Sequence, residues 1–159
     1  MADSDARTGF GAILQKADGT GPGANFIDIM GIKSISGPSI SRDTHDVTTM
    51  SSQGWREYIG GLVDGGEMSF AANWLPRDPT QGQEEGGLMA EFDKGSCESR
   101  SRWRILIPGC PGEPEVYLET DGILSGMNID IPLDDVMGFE GTIKVSGRPE
   151  LVVEEVTGT

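Results

Sequence analysis

The sequence predicts a mainly β protein: a β-sandwich or small barrel with one docked α-helix and one long inter-strand loop. Apolar residues recur at every second position in several short runs, which is the pattern of half-buried strands. The 159 residues include 24 glycines and 9 prolines, and only 36% are hydrophobic, so turns are frequent. Helix start and stop signals occur together only over residues 80–94. This length predicts a single domain, 1–159.

The first forty residues predict a loose end followed by short strands. Residues 1–8 are small and polar, and we expect a flexible N-terminus because nothing in them predicts an anchor. Residues 10–15 and 26–30 predict strands, separated by a turn rich in glycine. The run 32–40 predicts an edge strand, since Pro38 has no N–H to donate to a ladder.

The stretch 42–61 predicts an extended loop of unusual composition. It has no sustained period of two or 3.6, yet it carries Val47, Met50, Trp55, Tyr58 and Ile59 among charged residues. Most loops are short and polar, and a long loop with large apolar side chains usually has a partner to cover. We therefore expect it to bind something.

The next segment predicts a clear strand and then the helix. Met68, Phe70, Ala72 and Trp74 alternate with polar or small residues, which indicates a strand with one buried face. In the helix candidate over 80–94, Thr80 and Gln83 fit a capping box, with Asp78 before a proline as a competing start. Its three glycines each cost about 1 kcal/mol relative to alanine, so the helix would depend on docking against the sheet.

The remaining chain continues the β pattern to its end. Strands are predicted over 102–107, 116–124, 127–131 and 136–145, and Gly147-Arg148-Pro149 predicts a turn into a short apolar end.

Composition excludes several classes of function. The net charge of −14 argues against a surface that grips nucleic acid, because such binding needs Lys and Arg to replace counterions. No apolar run approaches the ~20 residues of a membrane span. His45 is the only histidine, and the two cysteines do not have metal-site spacing. We expect no enzymatic activity, no metal and no cofactor.

The order of the charges suggests an interface between copies. Lys94, Arg100, Arg102 and Arg104 lie within eleven positions, and no further base occurs before Lys144, whereas eight acids lie in that gap. One interpretation is ordinary alternating surface charge, since surface ion pairs contribute little. The other is a head-to-tail contact between the basic patch of one copy and the acidic patch of the next, which closes into a ring.

Three stretches resemble a known family: SISGPSISRDTHDVT, GWREYIGGLVDGGEMSFAANW and the later IKVSGRPEL. Together they are similar to the tail tube (major tail) proteins of long, non-contractile-tailed bacteriophages and related gene-transfer agents. The resemblance implies hexameric rings that stack into a tube through which the genome passes. It also implies a tape-measure protein inside the tube, terminator or tip proteins at its ends, and a place in the virion after assembly in the host cytoplasm.

This resemblance gives the unusual loop a role, because no active site is present for it to cover. We predict that Val47, Trp55 and Tyr58 are anchors into a neighbouring subunit, ringed by Asp46, Arg56 and Glu57. A lumen lined by acids would repel DNA phosphates, and Glu67 and Glu140 are the candidates. Two alternatives remain: a soluble ligand-binding β-sandwich module, and a tube protein of a gene-transfer agent or secretion system.

Overall fold

A computed structural model describes residues 7–17 and 25–154. The strands, numbered in chain order, are β1 (Ile13–Ala17), β2 (Phe26–Asp28), β3 (Ile32–Ser36), β4 (Ser41–Asp46), β5 (Tyr58–Asp64), β6 (Glu67–Asn73), β7 (Arg100–Ile107), β8 (Glu115–Asp130) and β9 (Gly138–Glu154). Short 3₁₀ helices span Met50–Ser52 and Met89–Asp93. The prediction of a mainly β fold is confirmed.

Seven strands form one antiparallel sheet in the order β2-β1-β7-β8-β9-β6-β3, and β4 pairs with β5 in a separate hairpin. The large sheet curls so that β1 approaches β3, which brings opposite parts of its inner face together. No ladder joins β2 to β3 in the described residues, so the sheet stays open and is not a closed barrel. β3 is an edge strand, as Pro38 predicted.

The core lies on the inner face of the curled sheet and follows the period of two. Met68, Phe70 and Ala72 of β6 are buried, while Glu67 before them and Ser69 between them are exposed. The rings of Phe70 and Phe139 meet edge to face at 5.9 Å between centroids. A Cβ on Gly141 would lie 2.4 Å from the Phe70 ring, so this position of β9 must lack a side chain.

The predicted α-helix over 80–94 is wrong: turns lead into the 3₁₀ helix Met89–Asp93. A Cβ on Gly87 would lie 2.2 Å from the Gly82 carbonyl oxygen, a close backbone approach that a helix does not allow. Gln81, 1% exposed, holds the segment to the sheet, since its amide donates to the carbonyls of Met30 and Asn73 and its oxygen accepts the Leu75 N–H. The segment therefore docks against the sheet as a series of turns and not as an α-helix.

A buried ion pair fixes the end of this segment against β1. Lys16 Nζ lies 2.8 Å from Glu91 Oε1, and both side chains are 1% exposed. Lys94 Nζ lies 2.7 Å from the same oxygen, and the Ser101 hydroxyl donates to Glu91 Oε2 at 2.8 Å. The carboxylate is therefore paired with two ammonium groups and one hydroxyl donor, and a buried charge needs such partners.

Two sequence predictions for the last third of the chain differ from the structure. The separate strands 116–124 and 127–131 form one strand, β8, with an irregularity near Gly126. The turn predicted at residues 147–149 is wrong, because β9 runs through it to Glu154. Glu119 pairs with Glu150 and Asp121 pairs with Ser146, so residues 147–149 of β9 are extra in the ladder and bulge out of it. A bulge tolerates Pro149, which has no N–H to donate.

The segment 42–61, predicted as an extended loop, forms most of the β4–β5 hairpin, with a 3₁₀ turn near its tip. The flexible N-terminus, residues 1–8, lies mostly outside the described residues. Of the two that are described, Arg7 donates to Glu113 Oε2 at 3.1 Å.

Candidate assembly surfaces

The β4–β5 hairpin exposes large apolar side chains that no other described part of the chain covers. Met50 is 103% exposed, Leu62 83% and Trp55 79%. The hairpin approaches the main sheet at its base, where β5 passes β9. Isolated exposed apolar residues are ordinary, but several large ones on a single hairpin indicate an interaction surface.

Polar residues hold the hairpin tip in shape. Asp46 accepts the Thr48 N–H at 2.8 Å, and Glu57 accepts the Ser52 hydroxyl at 2.7 Å. The Glu57 N–H in turn donates to the Thr48 hydroxyl at 2.8 Å. Hydrogen bonds from the Thr48 side chain and backbone lower the pKa of Asp46 below its ordinary value. Asp46 and Glu57 therefore also shape the tip, as acceptors of hydrogen bonds from neutral donors.

The other hairpin residues predicted for the interface point to solvent. Trp55, Tyr58 (54%) and Val47 (39%) are exposed, so the tryptophan does not pack into its own core. Arg56 is also exposed and forms no ion pair with any described residue. The tip thus presents apolar side chains with Arg56 and the acids Asp46 and Glu57 beside them. From its composition and the resemblance, we predict that this segment is mobile in a single subunit and becomes ordered in the tube.

The predicted basic patch is largely paired within its own chain. Arg102 lies 2.8 Å from Glu119 and 3.2 Å from Asp121 on the neighbouring strand β8. Arg104 Nε donates to Glu119 Oε1 at 2.8 Å, and its guanidinium lies 3.8 Å from the centroid of Phe26 and 4.2 Å from that of Tyr117. Acids from the predicted acidic patch are thus the intrachain partners of these arginines.

This pairing changes how the interface hypothesis can be tested. Substituting Glu for Arg102 or Arg104 would place carboxylates beside Glu119 and weaken the subunit itself, so lost assembly would prove nothing. Arg100 is the exposed member of the set. A contact of these three arginines with another copy stays a prediction.

We expect acid to destabilise the subunit through Glu91 and Glu119. Burial acts to raise the pKa of each carboxyl, but hydrogen bonds and ion pairs outweigh burial and leave each pKa below its ordinary value of 4.5. The donors are Lys16, Lys94 and Ser101 for Glu91, and Arg102 and Arg104 for Glu119. A lowered folded pKa stabilises the protein above the unfolded pKa, and this stability is lost as pH falls through the folded value. The midpoint of urea unfolding should therefore drop as pH falls below about 4.5.

The matched variants are Glu119→Gln and, as an exposed control, Glu84→Gln. Glu119→Gln should unfold more easily at neutral pH and show a weaker acid dependence than the control. Identical pH profiles for the two variants would contradict this assignment.

The two lumen candidates lie on the outer face of the sheet, opposite the core. Glu67 and Glu140 are exposed, on the adjacent strands β6 and β9. Glu140 lies across from Ala71 and Asn128, whereas Glu67 lies across from Lys144. Glu140 therefore contributes the less neutralised charge to this face.

Sequence reasoning missed a second exposed apolar group, at the turn between β8 and β9. Leu133 is 103% exposed, Val136 68% and Ile131 64%. Asp130, Asp134 and Asp135 lie in or beside this turn and form no ion pair with a described base. Three large apolar residues within six positions of a proline-containing turn were the available signal.

The long β8–β9 pair also leaves backbone edges free. β6 covers β9 only as far as Lys144, and β7 covers β8 only between Val116 and Ile123. Within the described chain, the end of β9 (Glu150–Glu154) has β8 as its one ladder partner. Leu151 and Val153 on that edge are 65% and 53% exposed. A free apolar edge is a template for pairing with another chain.

Other site chemistry is sparse. Among the described residues, no group of three or more His, Cys, Asp or Glu side chains could hold a metal ion. Cys97 and Cys110 are exposed free thiols. In the part of the chain that the structure covers, no helix has the length and apolarity to cross a membrane.

Comparison with known proteins identifies a family. The family model described as "Lambda phage tail tube protein" matches residues 17–152. A chain from the tail of an empty gene transfer agent particle, solved with C6 symmetry, is similar with a TM-score of 0.66 and 22% identity, over 92% of this chain and 99% of that one. No curated protein matches the sequence.

Two further structures share the fold. A chain from an extracellular contractile injection system, at its sheath/tube terminator in the extended state, gives a TM-score of 0.67 at 13% identity, over 92% of this chain and 96% of that one. The SPP1 tail tube gives 0.55 at 10% identity, over 92% and 77%.

Proposed function

Because this chain belongs to the lambda phage tail tube protein family, we propose that its copies form hexameric rings that stack into a DNA-conducting tail tube. The family is a structural one, so the chain is a structural tube protein of a virion and not an enzyme. The observation that carries the finer proposal is the β4–β5 hairpin, whose exposed Met50, Trp55 and Leu62 need a partner.

Six-fold rings are supported by the gene transfer agent tail, which was solved with C6 symmetry and is similar to this chain along most of its length. The free edges of β8 and β9 give a route for lateral contact, since strand pairing between copies would satisfy their backbone groups. A head-to-tail contact of this kind closes into a ring when its rotation divides a full turn.

The proposal extends to partners by family likeness. A tape-measure protein inside the tube and terminator or tip proteins at its ends would limit its length, and the subunits would assemble in the host cytoplasm. The contractile injection system chain, from a sheath/tube terminator complex, supports an end-capping partner. A gene-transfer agent tube is the alternative with a specific observation in its favour, the similarity to that particle's tail.

The direct test is electron microscopy of the purified protein in negative stain, with sedimentation measured over a range of concentrations. Rings and tubes with a central pore are expected. A strict monomer at every concentration would overturn the proposal and favour a ligand-binding module.

The acidic face is proposed to line the pore and to keep DNA from sticking. Glu67 and Glu140 lie on one face, and the net charge of −14 leaves few bases to attract phosphate. A fixed carboxylate ring repels DNA phosphates at the short distances of a pore, which salt screens only in part.

Glu140→Lys combined with Glu67→Gln should make assembled tubes retain double-stranded DNA, because lysine in the lumen would bind phosphates by counterion release. Retention of a labelled DNA fragment should rise by about tenfold at low salt and disappear at high salt. The charge-matched control is Glu84→Lys with Glu85→Gln, at exposed positions outside the sheet. Equal retention of DNA by the two variants would show that Glu67 and Glu140 do not line the pore.

A further inference from the structure

We propose that the open side of the curled sheet binds a single-chain amphiphile with a carboxylate head, such as a medium-chain fatty acid. The site is an apolar gap between β1 and β3, the seam opening, whose walls include Ile32, Lys33, Ile35, Ile105, Ile107 and Leu118. The proposal concerns the folded subunit and does not depend on ring formation, so it goes beyond the proposed tube.

The seam opening exists because the sheet curls without closing. β2 and β3 are its two edge strands, and β1 approaches β3 with no ladder between them in the described residues. The gap has a volume of about 780 Å³, within the range of about 300–1,000 Å³ that is typical of small-molecule pockets. Its wall along β3 runs from Ile32 to Ile35, about 10 Å at about 3.4 Å per residue. An unbranched acyl chain has this elongated shape.

The walls of the seam opening are apolar and incompletely covered. Ile105 is buried, whereas Ile32, Ile35, Ile107 and Leu118 pack against the core yet stay only half-buried. Their remaining apolar surface is in contact with water. A ligand chain that covers them removes apolar surface from water on both sides, so the hydrophobic effect favours its binding.

A β-bulge in β3 shapes this wall. Ile32 lies across from Ala72 and Ser34 across from Ala71, so Lys33 is the extra residue in the ladder. In a regular strand, Ile32 and Ile35 would point to opposite faces because they are three positions apart. The extra residue lets both pack against the core, and it leaves Lys33 exposed beside the opening. Bulges commonly redirect a side chain in this way next to a functional site.

The charge of the seam opening is opposite to that of the chain. Lys33 is the single charged residue among the described residues that line it, and it forms no ion pair with a described acid. The chain as a whole has 26 acidic residues and a net charge of −14. One ammonium group matches the single charge of a carboxylate better than the higher charge of a phosphate group. The net charge also repels anionic membrane surfaces, so the ligand is a free amphiphile.

Titration calorimetry with octanoate, decanoate and dodecanoate, each below its micelle concentration, tests the apolar part of the site. The dissociation constant should fall about fourfold for each added methylene group, because each one buries further apolar surface. Equal dissociation constants for the three acids, or no binding of any of them by the wild type, would overturn the proposal.

Lys33→Gln tests the charged part without disturbing the core. This variant should bind decanoate about threefold to fivefold more weakly, as expected for loss of an exposed ion pair. Its affinity for the neutral analogue decanol should not change. The matched control is Arg77→Gln, an exposed base outside the seam opening, which should bind both ligands like the wild type. An unchanged affinity of Lys33→Gln for decanoate would rule out this orientation of the ligand and overturn the site.

Ala12→Trp tests the location, because Ala12 is half-buried in the wall of the opening opposite β3. An added indole should weaken decanoate binding by about tenfold or more, while thermal unfolding shows that the variant is folded. Wild-type affinity in a folded Ala12→Trp would place the ligand elsewhere.

Two other occupants of the seam opening would give different results. Dissolution of rings at saturating decanoate would show that a second copy fills the opening, and capture of the protein by phosphatidylglycerol vesicles would show a membrane contact. Either result would overturn the assignment to a free amphiphile. Absence of decanoate binding by protein that forms rings overturns only this inference, whereas decanoate binding by a strict monomer overturns only the proposed function.

Discussion

Trp55→Ala is expected to abolish tube assembly while leaving the fold of the subunit intact. Trp55 is 79% exposed and lies on a hairpin that touches the sheet at its base, so its loss removes almost no packing within the chain. Exposed substitutions change the free energy of unfolding by about 0.5 kcal/mol or less. Assembly is different, because a tryptophan at the centre of an interface commonly contributes about 2 kcal/mol or more.

Repetition makes this effect large. Every subunit in a ring makes the same contact, so a modest loss per contact is summed around the ring before the next ring can bind. The measurement is tube length by electron microscopy, together with the unfolding midpoint in urea. Phe92→Ala is the control, since Phe92 is 49% exposed on the 3₁₀ helix, outside the proposed surfaces. Tubes of ordinary length from Trp55→Ala would contradict the anchor role.

The parts of the fold that the sequence predicted are those with one buried face. Met68, Phe70 and Ala72 are buried and their neighbours are exposed or half-buried, so the period of two is imposed by the core and is visible in the sequence. The same holds for β7, where Trp103 and Ile105 face inward. A strand with one buried face therefore shows an alternation of apolar and polar or small residues in its sequence.

The hairpin could not be predicted in the same way. All six residues of β4 are exposed, so neither face is selected by a core and no alternation appears. We expect its exposed apolar residues to contact another subunit and not the core of their own. Their number suggested an interface from sequence alone, but the pairing of β4 with β5 and the polar bonds of the tip needed the structure.

The wrong helix has a related cause. The capping signals near Thr80 are local, whereas the segment is held by distant groups. Gln81 bonds to the turn between β2 and β3 and to the end of β6, and Glu91 pairs with Lys16 of β1. Tertiary contacts of this kind override local propensity. The intrachain partners of the basic patch were not predictable for the same reason, because the register that places Arg102 opposite Asp121 is a property of the folded sheet.

Trp103→Ala removes the same atoms as Trp55→Ala, but from a buried site, and should cause the largest loss of stability. Trp103 is 0% exposed at the centre of the sheet, and its indole N–H donates to the Gly122 carbonyl at 3.2 Å. Truncating a buried tryptophan costs about 3–5 kcal/mol, because the removed atoms leave a cavity. Domains of ordinary stability have about 5–15 kcal/mol in total, so much of the margin is lost.

The urea midpoint should fall accordingly, and the melting temperature should drop by about 6–20 °C, since each kcal/mol corresponds to about 2–4 °C at this chain length. Trp55→Ala serves as the matched comparison, with the same atoms removed from an exposed site. The pair separates two roles of one residue type: Trp103 should control whether the subunit folds, and Trp55 whether folded subunits join. Substitutions at exposed sites change the melting temperature by about 2 °C or less. If the melting temperature of Trp103→Ala lay within that range of the value for Trp55→Ala, the assignment of Trp103 to the centre of the core would be wrong.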